Sequence, residues 1–147
     1  MNAAVASGQT VCRFTTAGSL GFGAYDAMSN TAGTSQASIL VRCDRSTGSA
    51  NVTVTIGLGP GSNSASTSAR KLVAPGSPTP LSYGLYRDSG RTMNWGNTAG
   101  MDTQSQTVNV PNKSFATLTF PVYGSIPPHQ DVYTGIYSDS VQVTLTP

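Results

Sequence analysis

Apolar and polar residues alternate one by one through most of the apolar stretches of this chain, the period of a half-buried β-strand. Residues 37–43, ASILVRC, place Ala37, Ile39, Val41 and Cys43 on one face. Residues 51–58, NVTVTIGL, turn Val52, Val54, Ile56 and Leu58 inward against Asn51, Thr53 and Thr55. The intervening DRSTGSA is rich in turn formers, so these two runs are expected to pair as a hairpin. The same pattern returns in residues 114–122 through Ala116, Leu118, Phe120 and Val122, and in residues 137–145 through Tyr137, Val141, Val143 and Leu145. Weaker strands are expected over residues 9–16, 81–87 and 107–110. The stretches GLGPGSNSASTSARK and VAPGSPTP are polar and full of breakers, and no segment keeps a 3.6-residue period for two turns. The expectation is an all-β domain of six to seven strands, a Greek-key sandwich of immunoglobulin-like layout, with a closed barrel as the alternative.

The composition agrees with that picture. At 147 residues the chain has the length of one domain with its own core. Ser and Thr fill 38 positions and Glu is absent, which suits a polar β surface better than charged helices. The net charge is +2, and the basic residues are scattered from Arg13 to Lys113, so the concentrated patch that nucleic-acid binding requires is missing. No stretch approaches the ~20 apolar residues of a membrane-spanning helix.

Cys12 and Cys43 each fall within or at the end of an expected strand. They can form a disulfide between neighbouring strands or remain two buried thiols; a metal or redox site has no nearby His or further Cys to complete it. A disulfide would imply export to an oxidising compartment. At the start of MNAAVASGQTVC, Ala4-Val5-Ala6 resembles a signal-peptidase site, which would make Ser7 the first residue of the mature chain.

Catalytic constellations are hard to assemble. His129 is the sole histidine and sits in the loop IPPHQD, where a solvated or hydrogen-bonded role is the default. The six Asp residues lie mostly beside turns; Asp131 and Asp139 could approach each other, but a pair with no Glu and no sign of a cleft gives glycoside hydrolysis little support. No G-x-S-x-G occurs, and GLGPG at residues 57–61 lacks the Lys-Ser and helix of a phosphate loop. The sequence therefore points away from an enzyme, and no cofactor or metal is expected. The stretch YGLYRDSGRTMNWG, residues 83–96, could form a sugar site from Tyr86, Asp88, Asn94 and Trp95. The competing expectation is that Tyr83 and Trp95 fill the core beside a tight DSGR turn.

Taken in order, Cys12, LGFGAY, ILVRC ending in Cys43, VTVTIGLGPG, Arg70 with Leu72, LSYGLYRD, Trp95-Gly96, FPVYGSIPPHQ and GIYSDSVQVTLTP form a series spanning nearly the whole chain. With this series the sequence resembles the spore coat protein U domain, the pilin domain of archaic chaperone-usher pili. The resemblance implies an incomplete immunoglobulin-like fold that needs a donated strand, with a hydrophobic acceptor groove between its first and last strands. That groove is carried here onto Val11, Tyr137, Val141, Val143 and Leu145. It also implies a Cys12–Cys43 disulfide and no catalytic residue. The implied partners are a periplasmic chaperone, an outer-membrane usher and neighbouring subunits of a pilus or coat, in adhesion or biofilm. The implied location is outside the cell, reached through the periplasm, on a fibre, cell surface or spore coat. A carbohydrate-binding tip adhesin, with a surface glycan as partner, is the alternative, as is a spore coat protein that forms no pilus.

Residues 1–8 read as an N-terminal extension ahead of a domain over residues 9–147. A strand donor needs apolar residues at alternate positions over about ten residues. MNAAVASG offers only Met1, Ala3 and Val5 on one face. The expectation is a subunit that accepts a strand without donating one, or a coat protein assembled in another way.

Overall fold

The computed structural model of the chain describes the backbone of residues 4–7 and the whole of residues 9–147; the side chains of the N-terminal extension, and with them its reading as a weak donor, lie outside the described part. Nine strands occur among the described residues: β1 (Ala4–Ser7), β2 (Thr10–Thr16), β3 (Gly33–Arg45), β4 (Ala50–Leu58), β5 (Arg70–Leu72), β6 (Leu81–Tyr86), β7 (Gln104–Val110), β8 (Phe115–Ile126) and β9 (Val143–Thr146). One sheet runs β1-β2-β3-β8-β6-β5 and the other β7-β4-β9, and every pairing is antiparallel. The protein is an all-β sandwich, consistent with the immunoglobulin-like expectation. The connections from β3 to β4, β4 to β5, β6 to β7, β7 to β8 and β8 to β9 all pass from one sheet to the other.

Residues 37–43 and 51–58 do form strands, but the expected hairpin between them is not made. β3 pairs with β2 and β8, whereas β4 pairs with β7 and β9. The apolar faces of the two strands meet across the interior instead of lying side by side, so the turn between them crosses the sandwich. Ile39, Val41 and Cys43 from β3 and Val54, Ile56 and Leu58 from β4 are all buried in one cluster with Phe120, Val122 and Trp95.

Cys12 and Cys43 stand directly opposite each other across the β2–β3 ladder and form a disulfide, with both residues fully buried. Past Phe14 the β2 register shifts, and after Thr16 the chain leaves the sheet, so residues 17–32 run without regular pairing. The last expected strand is shorter than its alternation suggests: the ladder covers only Val143–Thr146, although the inward-outward alternation extends back to Tyr137. Both irregular segments border the same opening in the sandwich.

Candidate functional site

Backbone hydrogen bonds show why residues 137–142 alternate like a strand without lying in a full ladder. Gly59 donates its N–H to the carbonyl of Gln142 at 2.9 Å, Ser62 donates to the carbonyl of Ser140 at 2.9 Å, and Val73 and Ser138 exchange bonds of 3.0 and 2.9 Å. These bonds continue the β4–β9 pairing, in which Gly57 faces Thr144 and Thr55 faces Thr146. Residues 138, 140, 142, 144 and 146 therefore aim their backbone groups away from the groove side, toward β4, the loop that follows it and, at Ser138, Val73 just past β5. In an extended chain the intervening residues aim theirs the opposite way. The N–H and C=O groups of Tyr137, Asp139, Val141, Val143 and Leu145 thus line a free edge and have no backbone partner among the described residues.

Beside that edge lies a groove of about 1070 Å³. Its floor is apolar, with Ile39, Leu58, Leu85, Val122 and Ile126 drawn from both sheets, and Asp139 is the one charged residue lining it among the described residues. Tyr133 and Ile136, 63% and 86% exposed, stand at its rim. The far wall is the unpaired segment from Ala17 to Tyr25. It is held by Ser35 Oγ donating to the carbonyl of Gly21 at 2.8 Å and by Tyr25 Oη donating to the carbonyl of Pro127 at 2.6 Å. Gln130 reinforces this corner: its Oε1 accepts from Ser82 N–H at 2.7 Å, its Nε2 donates to Ser82 O at 2.9 Å, and its own N–H donates to Tyr25 Oη at 3.0 Å. Phe22 packs its ring over Gly124, where a Cβ would lie 2.7 Å from the ring tip. Only glycine leaves room for the ring there.

The structure gathers some of the expected groove residues and separates others. Tyr137, Val141 and Val143 line the groove. Leu145 is 7% exposed and belongs to the closed core, further along the same edge. Val11 is on the outer face of its sheet, 38% exposed, because Thr10, Cys12 and Phe14 occupy the inward positions of β2. Among the groove residues that sequence reasoning missed, Leu20, Phe22 and Tyr25 form a wall of their own; they lie in LGFGAY, whose alternation is spread over too many glycines and too few apolar residues to register as one.

Tyr86, Asp88, Asn94 and Trp95 do not form an open sugar site. Trp95 is fully buried and donates its indole N–H to the carbonyl of Ile56 at 2.9 Å. Tyr86 and Asn94 meet as an isolated bridge. The Asp88 carboxylate caps the following turn, accepting from Thr92 N–H, Thr92 Oγ1 and Met93 N–H. Its pKa is lowered by the Thr92 hydroxyl first and then by the Met93 amide. His129 is exposed in a loop with φ 62°, and no group of metal-ligating residues occurs among the described residues.

The chain is thus an antiparallel β-sandwich with an apolar groove beside an edge whose backbone groups have no backbone partner among the described residues. The chain belongs to the Spore Coat Protein U domain family, whose pattern it matches over residues 1–144. It is also similar to Protein U of Myxococcus xanthus, 33% identical over 84 residues that cover 57% of this chain. The matched stretch spans 44% of that protein's length.

Proposed function

We propose that this chain is a structural subunit of an extracellular fibre or coat, and that it is completed by a β-strand from another protein laid along the edge of residues 137–145. The reading rests above all on the free backbone groups of Tyr137, Asp139, Val141, Val143 and Leu145 beside an apolar groove. Family membership adds the expectation of a coat or pilus subunit. An added strand satisfies the edge through main-chain bonds and the groove through its alternate side chains. Nine residues at about 3.4 Å each, roughly 30 Å, would span the edge. Before assembly a periplasmic chaperone would lend that strand; at the outer-membrane usher a neighbouring subunit would replace it. The chain performs no catalysis in this role.

The test is expression of the chain alone and with the cognate chaperone, followed by amide hydrogen exchange. Strand addition predicts that the amides of Tyr137, Asp139 and Val141 exchange freely in the lone chain and become protected in the complex. A soluble monomer in which those amides are already protected would remove the proposal.

A further inference from the structure

The edge is held extended by contacts within the chain, and besides its backbone bonds the Asp139 side chain accepts five hydrogen bonds there. The Asp139 carboxylate turns inward and accepts from Ser62 N–H at 3.0 Å, Ser62 Oγ at 3.1 Å, Asn63 Nδ2 at 2.9 Å, the Tyr83 hydroxyl, and Ser140 N–H at 2.9 Å. Four of these donors lie far away in sequence, in the loop after β4 and in β6. The loop fits closely: Gly61 has φ 91°, and a Cβ there would lie 2.1 Å from an Asp139 oxygen. Asn63 Nδ2 also reaches the carbonyls of Lys71 and Ser138, each at 3.3 Å. Tyr83 is buried in the opposite sheet, so its bond to Asp139 crosses the groove end and ties the edge to the far side. Burial, then the bond to Asp139, pushes the Tyr83 phenol above its usual range, so the hydroxyl stays a donor.

Each of these bonds that reaches the edge uses the side chain of Asp139, the carbonyl of Ser138 or the amide of Ser140, on the paired side of the strand. None occupies the groups that face the groove. We infer that Asp139 is a positioning residue for strand capture: it pre-extends residues 137–141 so that an incoming strand meets an ordered ladder edge. This rests on the strand-acceptor reading above. Preorganisation of this kind speeds association, because the ordering entropy is already spent, and leaves dissociation nearly unchanged once the ladder itself holds the edge.

Asp139→Asn replaces one accepting oxygen with an amide that faces donors, and Tyr83→Phe removes a single bond while keeping the ring in the core. In the lone chain both variants are expected to raise amide exchange at Ser62 and Ser138, about tenfold or more for Asp139→Asn and less for Tyr83→Phe, as befits lost bonds to a charged acceptor. Amides of Val54 and Ile56 remain as slow as in the wild type. Capture of a blocked synthetic peptide of alternating valine and threonine, about nine residues long, is expected to slow by a similar factor in Asp139→Asn with an unchanged off-rate. Unchanged exchange at Ser62 and Ser138 in both variants would overturn the inference. So would exchange that rises equally at Val54 and Ile56 in both, or wild-type capture rates in Asp139→Asn. If the wild type itself captures no strand, the acceptor reading fails, while the exchange measurement still decides whether Asp139 orders the edge.

Discussion

The guanidinium of Arg70 donates through Nη2 to the carbonyl of Trp95 at 2.7 Å, and the two residues are both fully buried. The same nitrogen reaches the carbonyl of Leu58 at 3.0 Å, Nε reaches Gly59 at 3.0 Å and Nη1 reaches Thr67 at 2.8 Å. A single cation thus gathers the end of β4, the start of the loop that meets Asp139, and the segment carrying the buried indole. Burial lowers its pKa, offset in part by Tyr83 and Asp139; an arginine nonetheless stays charged and saturates four carbonyls.

Arg70→Lys cannot reproduce that fork. The substitution is expected to cost about 2–4 kcal/mol, since at least two buried carbonyls lose a charged donor. Urea unfolding measures it, and a cost within about 0.5 kcal/mol of zero would contradict the clamp.

The sole tryptophan of the chain is Trp95, so fluorescence reports on this clamp directly. Its emission is expected to be that of an indole shielded from water, with little quenching by iodide until the protein unfolds. Trp95→Ala is expected to destabilise the fold by about 3–5 kcal/mol through the cavity it leaves. Ready quenching in the native state would place the ring elsewhere.

Reducing the Cys12–Cys43 bridge, or replacing both residues with serine, releases a loop with a sequence separation of 31. The loss is expected to be about 3–4 kcal/mol in the chain-entropy picture. Denaturant midpoints with and without reductant check it.

Acid weakens the protein through two aspartates. Burial opposes the ionised form of Asp44, but hydrogen bonds and charge from Arg42, with Arg13 at 2.8 Å, outweigh it and hold the carboxyl below the ordinary aspartate range. Asp88 is lowered likewise by its turn. A carboxylate whose folded pKa is depressed stabilises the fold fully above its unfolded pKa and ceases to do so as pH falls through the folded value. Melting temperature should therefore decline from roughly pH 5 toward pH 2, and Asp88→Asn should flatten part of that decline. At Asp44, one third exposed, the contribution is under about 1 kcal/mol.

Much of this was legible from the chain because period-two alternation is a local signal. The interiors of β3, β4 and β8 can be read directly from Ile39-x-Val41, Val54-x-Ile56 and Leu118-x-Phe120. Partner choice is not local, so alternation could not tell that β3 and β4 face each other across the core. Val11 is a case of the same limit: an apolar residue at an outward position looks like a groove residue until the inward set Thr10, Cys12 and Phe14 is known. Nor could the string GIYSDS reveal that the Asp139 side chain gathers Ser62, Asn63 and Tyr83, since those donors are 56 to 77 positions away.

The disulfide between opposed positions of β2 and β3 also determines how the sandwich bears mechanical load. Tension applied to the chain ahead of Cys12 reaches a covalent link before it can peel the rest of β2 from the sheet. It is then delivered to Cys43, in a strand whose ladder with β8 runs from Gly33 to Asp44. A pull directed along that strand loads many of the ladder's hydrogen bonds together instead of opening them one at a time.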